Sequence, residues 1–173
     1  MSAHNDLLPV QESPLSTTAI RQYAEKIAEH HDLFGEGYQA DLHALVLKLG
    51  GTIDVSSKLL GDESLTVNSA SDFTIHLPPL TSERRDRFTI AHELGHYFLH
   101  YLQPSLDGKF RFGRGRRNRA ETQANYFAAS LLMPESKFRD AYIEYSGDDW
   151  AIADAFGVSP QAVNVRAQSL GLK

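Results

Sequence analysis

Apolar residues along this chain recur with two different periods, and the changes of period mark out helical flanks around a strand-forming middle. Ile20, Tyr23, Ala24 and Ile27 fall at the three-and-four spacing of a half-buried helix, which Ser16 or Thr17 can cap and which ends near His31. A loop around Gly35 and Gly37 precedes a short helix over 42–49, capped by Asp41 and stopped by Gly50-Gly51. Residues 52–55, 64–67 and 73–77 are then short runs rich in β-branched and aromatic side chains, separated by polar turns, and they predict three strands. Pro78-Pro79 closes the last of them.

Helical spacing returns behind Thr81 or Ser82 and carries Phe88, Ala91, Leu94, Gly95 and Phe98 to about Tyr101. Residues 102–118 read as a loop with room for a small hairpin at 110–112. A second strong helix covers 120–133, with Ala124, Phe127, Ala128, Leu131 and Leu132 on its apolar face. Pro134 breaks it and can open the next helix, through about Tyr145. Two short helices follow, over 150–156 and 160–169, joined by Gly157-Val158-Ser159. A few strands among many helices predict an α+β fold with a small mixed sheet of about three strands. The expected organisation is a disordered leader over 1–15, a domain over 16–145, and a helical pair over 146–173 packed on it.

Composition narrows the function classes. With 42% apolar and 23% charged residues among 173, the chain fits one soluble domain with a real core. It has no apolar run long enough for a membrane span and no basic-then-apolar start of a secretory signal. The absence of cysteine excludes disulfides and thiolate ligands, so any metal would be held by His, Asp or Glu, and it is compatible with a cytoplasmic protein. The net charge of −5 gives no general push toward nucleic acid. Locally, however, Lys109, Arg111, Arg114, Arg116, Arg117 and Arg119 place six positive charges in eleven residues. That run is either a solvated loop or a docking surface for substrate or DNA, with Arg114, Arg116 and Arg117 as the candidate docking residues.

The informative stretch is His92-Glu93-Leu94-Gly95-His96. Residues four apart on a helix share a face, so both imidazoles can reach one ion, while Glu93 is placed to reach a water rather than the metal. Two histidines do not complete a catalytic zinc site. Glu121, in the first turn of the second helix, is the best third ligand, although an acidic residue there also suits the helix dipole. Asn125, one turn further along, could accept the ring N–H of a ligating histidine. His100 would close the site as a fourth ligand and reads instead as a supporting residue.

The stretches FTIAHELGHYFLH and AETQANYFAASLLMP strongly resemble the ImmA/IrrE family of metallopeptidases, over about residue 75 to the C-terminus. The resemblance implies a zincin-type fold, Zn2+ held by His92, His96 and Glu121, and Glu93 as general base. It further implies cleavage of a repressor-like or antitoxin-like protein. Many relatives carry an N-terminal DNA-binding domain for which this chain has no room, so a stand-alone protease is expected. The competing expectation is a regulatory DNA- or protein-binding module on an inactive zincin scaffold. The last two helices resemble a helix-turn-helix that would offer Gln161, Asn164 and Arg166 to DNA, but Asp148, Asp149 and Asp154 crowd it and favour a packing role.

Overall fold

Side-chain caps set where most of the helices begin. In the computed structural model, which describes residues 9–55, 63–113 and 118–173, Ser16 rather than Thr17 accepts the Ala19 N–H and starts α1, Thr17–His30. Asp41 caps α2, Leu42–Lys48, and Ser82 rather than Thr81 caps α3, Glu83–His96. Asn118 accepts the Glu121 N–H and starts α4, Arg119–Leu132. After Pro134 come α5, Glu135–Glu144, then α6, Asp149–Phe156, behind Asp148, and α7, Pro160–Ser169, behind Ser159. Each cap satisfies a backbone donor that the helix itself leaves unpaired.

Among the described residues the sheet holds four strands, one more than the sequence suggests. β1 is Gly51–Val55, β2 Glu63–Ser69, β3 Asp72–Leu77 and β4 Phe110–Gly113, in the order β1-β3-β2-β4. β1 runs parallel to β3, while β2 is antiparallel to both β3 and β4. The hairpin read at 110–112 does not form. That segment crosses back to β2, with Phe112 opposite Leu65. Four residues give too few alternations to read as a strand, and the pairing is far away in sequence. β3 therefore sits inside the sheet, bonded on both sides, and among the described residues β4 ends the strand order.

One core joins the sheet to the helices. Leu65, Val67, Phe73, Ile75 and Phe112 are buried with Ile90, Leu94, Phe98, Phe127 and Leu131. α6 and α7 share it through Ile152, Phe156 and Val163, and the Arg84 guanidinium reaches from α3 to the Val158 carbonyl at 2.9 Å. Arg166 is not offered to DNA. It is 3% exposed, with Nε donating to the Met133 carbonyl at 3.0 Å and Nη2 to Glu25 at 3.3 Å. Asn164 donates to Asp149 on α6 at 3.2 Å. The expectation of disorder through residue 15 fails at Ser13, which is 4% exposed and bonded to α4 through Gln123. A lone buried polar residue carries no periodic signal. Residues 1–8 lie outside the described ones.

α3 and α4 approach closely at Gly95. A Cβ built on Gly95 would lie 3.1 Å from both the Cα and the carbonyl oxygen of Ala124 and 3.2 Å from the Phe127 Cβ. Gly95→Leu is expected to destabilise the fold by about 1–3 kcal/mol, because backbone rather than a flexible side chain stands in the way. A urea denaturation midpoint equal to that of the parent protein would refute this.

Candidate metal centre

The Gly95 contact sets α3 and α4 close enough for one turn of each to face the other. His92 and His96, four residues apart on α3, meet Glu121 from the first turn of α4. One carboxylate spans both rings: His92 Nε2 is 2.9 Å from Oε2 and His96 Nε2 is 2.9 Å from Oε1. The potential donor atoms of the three residues all lie within 4.8 Å of one another. Two imidazole nitrogens and one carboxylate oxygen suit zinc, and three protein donors leave a tetrahedral ion one open position. This group can therefore hold a metal ion of the kind its residues were expected to bind.

Electrostatics follow from that geometry. Burial pushes the Glu121 carboxyl upward, but hydrogen bonds from His92 and His96 and their charges outweigh it and pull its pKa down to about 2. Burial disfavours the charged form of His92, yet Glu121, Glu93 and Asn125 together raise its pKa. His92 Nδ1 lies 2.7 Å from Asn125 Oδ1, so the nitrogen facing away from the cluster carries a proton, and Nε2, which faces Glu121 Oε2 at 2.9 Å, would be the nitrogen to give a lone pair to a bound ion. Asn125 thus stands where the helical spacing placed it.

Glu93 lies beside this group and is only 4% exposed. Burial raises its pKa, opposed by the charges of His96 and His92 and by a hydrogen bond from Ser64. The Ser64 hydroxyl lies 3.1 Å from Glu93 Oε2 and 3.2 Å from the Phe112 carbonyl, so it can bridge α3 to the sheet. The sequence offered no sign of Ser64, a serine next to an inward-facing leucine. The β2–β4 pairing shifts register between Glu63 and Leu65, and such an irregularity re-aims a side chain beside a site. Phe112 stacks on His96, ring centroids 5.2 Å apart at 26°.

α3 does not simply end at His96. Residues Tyr97–Leu102 continue as a π-helical stretch, in which bonds such as Gln103 N–H to the Phe98 carbonyl span five residues. The wider winding changes the phase of everything after His96 and leaves His100 against the back of its ring, Nδ1 to Nδ1 at 2.9 Å. Burial drives the His100 pKa down to about 4, so its ring is neutral near pH 7. His100 is not among the three residues whose donor atoms converge. Arg114, Arg116 and Arg117 lie outside the described residues. Among the described residues, no helix is long and apolar enough to cross a membrane.

A four-stranded mixed sheet beside two packed helices that bring together two histidines and a glutamate defines a zincin-like α+β domain. The chain belongs to the Peptidase_M78 family, whose model, described as the IrrE N-terminal-like domain, matches residues 55–168. Among solved structures it is similar to a Mycobacterium tuberculosis transcriptional regulator, with a TM-score of 0.58 and 18% identity. That match covers 83% of this chain and 44% of the regulator, so the chain spans less than half of that protein's length. No curated protein matches the sequence.

Removing the Asn125 acceptor frees the His92 ring to rotate and change tautomer. Asn125→Ala is expected to weaken zinc binding about 10–100-fold without unfolding the protein. Competition against a chromophoric chelator measures this, and an unchanged dissociation constant would show that Asn125 does not orient His92.

Proposed function

We propose that this protein is a zinc-dependent endopeptidase in which His92, His96 and Glu121 hold the ion and Glu93 is the general base. The observation that carries the reading is the placement of Glu93: a buried carboxylate held by Ser64 immediately beside a group that can bind metal. When bound, zinc supplies the Lewis acidity that polarises a scissile carbonyl and acidifies a water. Glu93 accepts the proton of the attacking water and returns it to the leaving amine. Phe112 and the packed core around His96 shield one side of the group from solvent.

The substrate class is a folded regulator of the repressor or antitoxin type, a reading supported by the family and by the site's position next to a sheet edge. Strand β3, which precedes α3, is paired on both sides and cannot accept another strand. The edge strand β4 takes that role in this proposal, because its Phe112 touches both His96 and Ser64. A peptide added there would gain backbone hydrogen bonds while its carbonyl approaches the metal group. The competing reading, a binding module on an inactive scaffold, has no use for a buried carboxylate that costs free energy to desolvate.

Glu93→Gln should retain zinc and stability but lose cleavage of its target, whereas Glu121→Ala should lose zinc as well. The test is co-expression with neighbouring repressor-like proteins, followed by metal analysis of each variant. Near-normal turnover by Glu93→Gln would rule out the mechanism. Once a target is found, proline on either side of its cut site should block cleavage by removing backbone donors. Tolerance of proline at every such position would rule out strand addition on β4.

A further inference from the structure

His96 turns one ring nitrogen to Glu121, and the opposite nitrogen begins a buried line of hydrogen bonds that runs away from the metal group. His96 Nδ1 is 2.9 Å from His100 Nδ1, and His100 Nε2 is 3.0 Å from Gln123 Oε1. Gln123 is held to the backbone of Ser13 at two points. The Ser13 N–H donates to Oε1 at 2.9 Å, and Nε2 donates to the Ser13 carbonyl at 2.8 Å. His96, His100, Gln123 and Ser13 are between 1% and 4% exposed, so solvent does not stand in for any partner.

Donor and acceptor roles along this line are forced in sequence. A backbone N–H only donates and a carbonyl only accepts, so two contacts to one residue leave the Gln123 amide a single orientation. Its Oε1 then faces His100 Nε2, which must carry a proton to pair with it. A neutral imidazole carries one N–H, so His100 Nδ1 presents a lone pair. His96 Nδ1 must therefore donate. With an ion bound, His96 Nε2, which here faces Glu121 Oε1 at 2.9 Å, has to present a lone pair, so a doubly protonated His100 that reversed the last bond would leave the ion none.

We infer that His100 and Gln123, clamped by the Ser13 backbone, are positioning residues that lock His96 into the tautomer able to bind a metal ion. The role matches that of Asn125 toward His92, but it is built through two residues and reaches a segment more than one hundred positions away in sequence. It explains why Ser13 is pinned against α4 and why the π-helical winding after His96 is useful. The inference rests on the metal-binding reading of His92, His96 and Glu121, and not on the peptidase reading. Its test uses zinc alone, so failure to find a substrate would leave it standing.

His100→Ala and Gln123→Met should each weaken zinc binding, about 10–100-fold for His100→Ala as for other residues that orient a ligand. His100→Asn places an acceptor oxygen near the former Nδ1 and should restore affinity to within about threefold of the parent protein, taking a well-placed acceptor as the main requirement. Nuclear magnetic resonance of the zinc-loaded, nitrogen-15-labelled protein gives a second readout that packing alone would not move. It should show a slowly exchanging proton on His96 Nδ1 with a nitrogen–nitrogen coupling across to His100 Nδ1. Unchanged affinity in His100→Ala, or His100→Asn as weak as His100→Ala, would overturn the inference. So would a proton residing on His100 Nδ1. If His100→Ala does not fold, the affinity of His100→Asn and the coupling in the parent protein decide the matter by the same criteria.

Discussion

The approach of α3 to α4 at Gly95 is the constraint on which the rest of this structure depends. With any larger residue there, the two axes would have to separate, because what lies opposite is the Ala124 backbone. The separation matters because every residue of the metal group belongs to one of these two helices. A carboxylate that bridges two imidazoles at 2.9 Å leaves little tolerance for displacement. Helical propensity would favour alanine over glycine by about 1 kcal/mol at an interior helical position. The glycine therefore trades local helix stability for close packing, and the site is the beneficiary.

Burying polar groups beside that contact is costly unless each finds a partner, which explains the second layer of residues. Glu93 has Ser64, His92 has Asn125, and His96 has His100 backed by Gln123 and Ser13. These partners come from β2, α4, the π-helical stretch and the N-terminal segment. Desolvation makes the polar site unforgiving, and the surrounding elements are recruited to satisfy it one hydrogen bond at a time.

The sequence revealed what depends on local spacing. His92 and His96 at one turn, Glu121 and Asn125 at one turn, and the cap at Asp41 are all short-range patterns, and the structure places these residues where that spacing puts them. It concealed what depends on pairing across the chain. β4 is four residues long and meets β2 some fifty positions away, so no alternation advertised it. Ser64 acts only because of a register shift, and Ser13 only because α4 passes it. The helix-turn-helix spacing at the C-terminus left Arg166 open to either role for a related reason: the same spacing that can present an arginine to DNA can turn it into the core, where the Met133 carbonyl and Glu25 receive it.

This division has a consequence for how site and fold are coupled. The ligand candidates come from two neighbouring helices, but the groups that hold them in working orientation close loops across most of the chain, from Ser13 to Asn125. Loop closure costs entropy that only the assembled core recovers, so the oriented site cannot form much earlier than the whole domain. An ion that binds the native state alone would stabilise that domain by RT ln(1 + [Zn]/Kd), or about 4 kcal/mol at a thousandfold excess over Kd. A residue that improves the orientation of one imidazole therefore acts on affinity and on global stability together. Fixing His96 through a line of buried hydrogen bonds ties metal occupancy to the docking of the N-terminal segment, which a ligand oriented only by its own helix would not do.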